Sequence, residues 1–464
     1  MNKFRKNCLL LILVQLPFFV MSQVHEFSVK QTVDYAMQNA TEVKNALLDI
    51  KIQKQKNREI TSAALPQLNG SASITRYLDI PVQSIPNFIS PATYQVLVDE
   101  GVKNSSGNPI TFPAAGFGEL AFPFGTPWNA NGGVDFSQLL FDGQVFIGLQ
   151  ARSASIKYIT AQSEITKEQI SVNVQKIYYQ LVVGKQQLSS IDANISRIEK
   201  LLNDTREIYK NGFAERLDVD KVNVQLNNLI TEKLKVENQL DAGNASLKFL
   251  MNMPQNDTLN LTDTLSADAL KDGLLDETYD YKNRKEYLFL EAAKDLGNYN
   301  IRRYKLSNLP TLALFGNYSK SAQRQEFNFF NDGTWFTSSM IGLQLKVPIF
   351  DGFARSSRVN QAKLEVQKLN NQFDQLKGSI DNDVKQARLK IKTALLTMDN
   401  QKRNMVLAEE VYKTTVLKYE QGLGSNQEIY NAQTELKVAQ NNYYSSFYDA
   451  IIARIDYLKA TGKL

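Results

Sequence analysis

The sequence predicts a mainly α-helical chain with a β-barrel part, built as two copies of one unit: strand, strand, long helical hairpin. Three observations predict it. Short motifs recur in the same order: Leu65-Pro66-Gln67-Leu68 returns as Leu309-Pro310-Thr311-Leu312, Phe141-Asp142-Gly143 as Phe350-Asp351-Gly352, and Tyr209-Lys210-Asn211-Gly212 as Tyr419-Glu420-Gln421-Gly422. The spacing recurs with them, 66 positions from Gly143 to Tyr209 and 67 from Gly352 to Tyr419. After each Phe-Asp-Gly the apolar residues also fall into a sustained heptad, the mark of helices packed as coiled coils.

Taken in order, residues 1–22 read as a secretory signal. Lys3, Arg5 and Lys6 precede an apolar run from Cys8 to Val20, too short for a spanning helix of ~20 residues. Residues 23–252 form the first repeat. It opens with a helix over 27–64, ended by Leu65-Pro66 because the residue before proline avoids the helical region. Strands follow at about 67–77 and 132–141. Leu68, Gly70, Ala72 and Ile74 alternate with Asn69, Ser71, Ser73 and Thr75, a pattern with one apolar face.

Between these strands, residues 78–131 carry seven of the 12 prolines and read as a long loop, which should lie where irregular backbone meets water. A helical hairpin over 144–252 completes the repeat. Its first helix, 144–210, would be ~100 Å long at 1.5 Å per residue, with a seam through Ile170, Val174, Ile177, Leu181 and Leu188. Residues 253–282 read as a lateral, equatorial segment joining the copies.

The second repeat, 283–464, runs through a helix at 283–308, strands at about 311–319 and 336–350, and a hairpin at 353–461. The return helices, 215–252 and 426–461, are about half as long as the helices they pair with. The helices before the strands are therefore expected to cover the remaining lengths.

Composition narrows the function. Without the signal the formal charge of +5 falls by its three basic residues to about +2, no electrostatic footprint for nucleic acid. The one cysteine and the one histidine, Cys8 and His25, leave no zinc or nucleophile constellation. No catalytic residue, metal site or cofactor is expected. Four alternating strands cannot close a transmembrane barrel, and open edges are not tolerated in hydrocarbon. A homo-oligomer in which several copies share one barrel resolves this.

In these motifs the chain resembles the TolC family of outer-membrane efflux proteins, the outer membrane factors. The matching residues are Leu-Pro-x-Leu at 65 and 309, Phe-Asp-Gly at 141 and 350, and Tyr-x-x-Gly at 209 and 419. The second tip extends to Glu428, Asn431, Ala432 and Leu436. The resemblance implies a homotrimer sharing a 12-stranded barrel in the outer membrane of a Gram-negative bacterium. A periplasmic α-helical barrel would continue it. It also implies a passive exit channel for efflux or type I secretion, working with a periplasmic adaptor (membrane fusion protein) and an inner-membrane transporter. A coiled-coil scaffold without a pore is the alternative.

The family's gate tyrosine and first gate acid match Tyr419 and Glu428, and the first copy offers Tyr209 and Asp218. Asn431 stands where a second acid is usual, and Gly424 where well-known members have an arginine. Tyr209 and Tyr419 also fit heptad packing, and Asp218 and Glu428 also fit helix N-terminal charge. Gly212, Phe213, Gly422 and Leu423, at the turns, are the adaptor-docking candidates that the resemblance implies. The second seam, rich in Ala, Met and Tyr, marks the second hairpin as the looser one.

Overall fold

A computed structural model describes residues 24–123, 125–264, 270, 278–331 and 333–464. The expected signal at 1–22 lies outside them, as does part of the connecting segment. The elements run β1 (Val24–Phe27), α1 (Val29–Asn39), α2 (Thr41–Ser62), β2 (Gln67–Arg76), β3 (Val82–Pro86), α3 (Ile89–Asp99), β4 (Glu119–Pro123) and β5 (Trp128–Phe141). The first hairpin contributes α4 (Gly143–Gln150), α5 (Arg152–Lys210) and α6 (Arg216–Leu250). Then come β6 (Thr258–Leu261), α7 (Lys285–Leu306), β7 (Thr311–Arg324), β8 (Phe336–Lys346), α8 (Ala354–Glu420) and α9 (Asn426–Thr461). Among the described residues no helix is long and apolar enough to cross a membrane.

The chain divides into two compact units. One comprises residues 56–151 and 299–361, and its centre is an antiparallel sheet in the order β2-β5-β7-β8. Directly opposed residues share a face, so the register separates two chemistries. Leu68, Phe136, Gly316 and Ile341 lie in one row, and Leu314 and Leu343 in another on the same face. The opposite face carries the rows Asn69, Asp135, Asn317, Met340 and Ser71, Gly133, Ser319, Ser338, polar but for Met340. There Asn317 Nδ2 donates to Asp135 Oδ1 at 2.8 Å. The apolar face is bare: Leu68, Ile341, Leu343 and Leu345 are all exposed. β2 and β8 are edge strands, each paired on one side alone.

Three details of this unit correct the sequence reading. The stretch 78–131 is not a plain loop: β3 and β4 pair from Val82↔Pro123 to Pro86↔Glu119, and α3 packs Tyr94 against Phe112 and Phe117. The partners lie too far apart in sequence for a local pattern to reveal them. β5 begins at Trp128 rather than 132, and β7 runs to Arg324 rather than 319, because Trp128 pairs with Arg324. β8 ends at Lys346, short of the expected 350.

The other unit comprises residues up to 55, 152–298 and 362–464. The helix expected over 27–64 is a strand and two helices. Phe27 belongs to β1, which pairs in parallel with β6. Ser28 then caps α1 in a reciprocal box with Gln31, and the helical backbone breaks at Ala40 (φ −54°, ψ 135°). Nothing in the local sequence explains that break. The helix expected over 144–210 is likewise divided, at Ala151.

Within this unit α1 and α2 pack on α5 and the end of α6 through Ala36, Val43, Val174, Tyr178, Leu247 and Met251. The Tyr178 hydroxyl donates to Phe27 O at 3.0 Å and accepts from Asp263 N, fastening the β1–β6 pair to α5. α7 meets α5 through Tyr158 and Phe289, and α8 through Tyr287 and Phe373. In the connecting segment, Tyr279 and Tyr281 both donate to Asp381 of α8, at 2.5 and 2.8 Å.

Candidate functional site at the hairpin tips

Each hairpin turns by the same backbone chemistry. Gly212 and Gly422 have φ of 83° and 76°, the left-handed region that glycine enters without penalty. Gly212 N donates to Tyr209 O and Phe213 N to Ile208 O; Gly422 N donates to Tyr419 O and Leu423 N to Lys418 O. These bonds satisfy the last carbonyls of α5 and α8. Both docking candidates beside the glycines, Phe213 and Leu423, stand exposed.

The return helices start with different caps. Glu215 heads α6, and its backbone N–H donates to Asp218 Oδ2 at 3.3 Å. Ser425 caps α9, its Oγ accepting from Glu428 N at 3.3 Å. Asp218 and Glu428 therefore occupy the same N-terminal position, where a carboxylate complements the helix dipole. Glu428 has a second tie, an ion pair with Lys418 at 3.4 Å. Asn431 accepts from Gln427 Nε2 at 3.0 Å. Gly424 lies against the Tyr419 backbone, where a Cβ would stand 3.2 Å from the Tyr419 nitrogen. Any side chain there requires the tip to give.

Above the turns the two hairpins share one core: Ile198 and Leu202 of α5, Leu229 of α6, Tyr412 of α8, Ile429 and Leu436 of α9. Tyr419 packs beside it and hydrogen-bonds Thr205 of α5. Burial pushes its phenol pKa up, and the Asp218 and Asp204 carboxylates push the same way. Tyr209 is exposed instead. The motif copies thus diverge: Tyr419 ties the second hairpin to the first, while Tyr209 faces outward.

A network continues upward. Arg197 donates to buried Asn194 at 3.0 Å, lies 3.8 Å from Glu409 and stacks over Tyr412. Asn194 donates to Gln440 of α9 at 2.7 Å. Lys437 of α9 pairs with Glu232 of α6.

A cavity of about 660 Å³ opens between the tips. Of the residues singled out from the sequence, it gathers Phe213, Asp218 and Tyr419. Tyr209, Gly212, Gly422, Leu423, Glu428 and Asn431 lie outside its lining. Leu217, Lys221 and Tyr430 line it as well, and sequence reasoning missed them. No motif flags them, although Tyr430 sits two residues after Glu428. Lys418 was also missed; its reach to Glu428 follows from the tight turn between them.

Residues 282–463 match the family model described as outer membrane efflux protein. The outer membrane protein TolC of Vibrio cholerae is 21% identical over 335 residues, covering 72% of this chain and 76% of that protein. The proteases secretion protein PrtF of Dickeya chrysanthemi is 23% identical over 293 residues, covering 58% and 60%. The crystal structure of the outer membrane protein VceC of Vibrio cholerae superposes with a TM-score of 0.66 at 14% identity, over 94% of this chain and 96% of that one, which shows the fold. Residues 282–463 thus resemble the outer membrane efflux protein family, and the fold of the chain is shared with VceC.

Proposed function

We propose that this protein is a passive exit channel of the outer membrane, serving a tripartite efflux or type I secretion system. The observation that carries the reading is the two-faced sheet: one face of bare aliphatic side chains, one polar face, and two unpaired edges. Such a sheet is stable in lipid only when copies complete each other's edges. Three copies of four strands give the 12-stranded barrel, with the apolar face to lipid and the polar face to the lumen. The helical hairpins continue the conduit into the periplasm, and their tips meet an adaptor that links them to an inner-membrane transporter. The protein itself carries out no reaction.

In this reading the tips form the closed end. Tyr419 and Asp218 line the space between hairpins, and Glu428 with Lys418 sets the charge at the second tip. Phe213, exposed at 85%, and Leu423 are apolar contacts for the adaptor, with Gly212 and Gly422 allowing close approach. The name of PrtF refers to protease secretion and the description of the matching family model to efflux; both need the same passive exit, so the client is set by the transporter. The scaffold alternative is disfavoured by the bare apolar sheet, which a water-soluble coiled coil does not need.

The test is extraction. Heat-labile trimers released from outer membranes only by detergent, and conducting in planar bilayers, support the channel. A monomer soluble without detergent and silent in bilayers would sink it.

A further inference from the structure

The face of the sheet that carries Leu68, Phe136 and Ile341 changes character along its length. Alternate residues share that face, so its rows can be followed through the register. At the end joined to the helices they hold Leu312 with Leu345 and Leu314 with Leu343, and no charged residue. Towards the free end come Ala72, Gly132, Lys320 and Thr337, then Ile74, Ala130 and Ala322, and last Arg76, Trp128 and Arg324. The three cations of this face are therefore gathered at one end.

The turn between β7 and β8 bends over the same end. Its Phe329 packs on Ala130 and Ala322, both buried and both on this face. Phe327 meets the Trp128 ring edge-on at 5.1 Å, and Phe330 beside it is 85% exposed. Arg76 stacks over Trp128, its guanidinium carbon 5.4 Å from the ring centre. Arg324 donates to Gln323 O and Thr334 O at 3.0 and 2.8 Å, which fixes its guanidinium and leaves donors to spare. No carboxylate among the described residues pairs with any of the three, Glu326 of the turn included.

Uncompensated cations on a face that otherwise offers hydrocarbon are costly unless an anion meets them. Leu312 to Arg324 spans ~40 Å along the strand at ~3.4 Å per residue. At a strand tilt of about 40° that is ~30 Å along the membrane normal, the thickness of the hydrocarbon core. With Leu312 at the inner boundary, Arg76 and Arg324 reach the outer headgroups, and Lys320 can snorkel to them. Arg76 and Arg324 are two strand spacings apart, ~10 Å, and Lys320 lies ~14 Å along the strand from Arg324. That spread suits several phosphates better than one.

We infer that this corner binds a phosphorylated lipid of the outer leaflet. Arg76, Lys320 and Arg324 hold a headgroup bearing more than one phosphate, and Phe327 and Phe330 lie among its acyl chains. The inference rests on the outer-membrane channel proposed above, since only then does this face meet lipid.

The probe is lipopolysaccharide, added to full-length protein purified in detergent and stripped of lipid, with binding read by native mass spectrometry and by the trimer dissociation temperature. Lipopolysaccharide is expected to bind and raise that temperature. Its dephosphorylated form should bind roughly tenfold more weakly, as charge-assisted hydrogen bonds are lost. Arg76→Gln combined with Lys320→Gln should lose a similar factor, while Lys346→Gln, on the opposite face, binds as the parent does. Lys320→Gln alone, at an exposed side chain, keeps the test open if the double variant does not assemble. Undiminished binding by these variants or of the dephosphorylated form overturns the proposal. So does equal binding of a phospholipid with a single phosphate, or competition by inorganic phosphate at matched concentration, which would mark a site for free anions. A heat-labile trimer indifferent to lipopolysaccharide sinks this site and leaves the channel standing; a protein soluble without detergent fails the channel reading first.

Discussion

Gln433 of α9 is buried between Ile429, Ala432 and Leu436 of the tip core, yet both ends of its amide lack a hydrogen-bond partner among the described residues. An orphaned buried amide costs ~1–3 kcal/mol. Gln433→Leu is expected to raise stability by about 1 kcal/mol, read as a higher unfolding temperature. The Glu428–Lys418 pair is exposed and contributes at most about 1 kcal/mol, so its role is charge rather than stability. Glu428→Gln should leave the melting temperature unchanged but lower cation preference in planar bilayers, because Lys418 is then uncompensated; Lys418→Gln should shift it the other way. Unchanged currents in both variants would remove the pair from the gate.

Glu168 behaves differently. Burial raises its pKa above the usual 4.5, Glu286 adds to the rise, and Lys459, Arg284 and Lys285 oppose it. Its folded form therefore holds the proton more tightly than the unfolded chain does, so stability is complete below 4.5 and is lost as pH rises through the folded value. Glu168→Gln should melt higher than the parent at pH 7.5, with the difference gone at pH 4.

At the scale of elements, the two hairpins share a design but not a closeness. α5 and α6 interlock reciprocally: Gly184 receives Leu240, and Gly243 receives Leu181, where a Cβ would stand 2.8 and 2.7 Å from the leucine methyls. Gly243→Ala should therefore cost ~1–3 kcal/mol by overpacking, measured by chemical denaturation, and should slacken the first hairpin. The second hairpin has no such lock. α9 contains no glycine, and between Met398 and Tyr412 no residue of α8 is buried. In the corresponding reach of α5, Ile191, Asn194, Ile198 and Leu201 all are. α9, by contrast, buries more residues than α6, so the sparse burial belongs to this reach of α8 and not to the second hairpin as a whole.

At the scale of the whole molecule, the sheet sets the chemistry of its surroundings. Leu343 and Gln344 are neighbours on β8 that face opposite sides. Leu343→Lys should cost ~2–4 kcal/mol of membrane stability if its face meets lipid, seen as loss of heat-labile oligomer from outer membranes. Gln344→Lys should assemble normally and alter conductance instead. Equal behaviour of the two variants would contradict the assignment of faces. Phe315 adds a local support, its ring lying over Gly342 where a Cβ would stand 2.6 Å away.

The sequence by itself determined the duplication, the alternating strands, the two long hairpins and their tips at Gly212 and Gly422. Each is written in local periodicity or in a residue whose backbone freedom the turn requires. Only the tertiary structure decided the pairing of β1 with β6, the β3–α3–β4 insertion in a proline-rich stretch, and the break at Ala40. It also decided that Tyr419 packs while Tyr209 stands free, and that Glu428 has Lys418 as its partner. Periodicity states which face of an element is buried but not what buries it. Short strands, ion pairs and the two unlike tyrosines take their character from partners tens or hundreds of residues away.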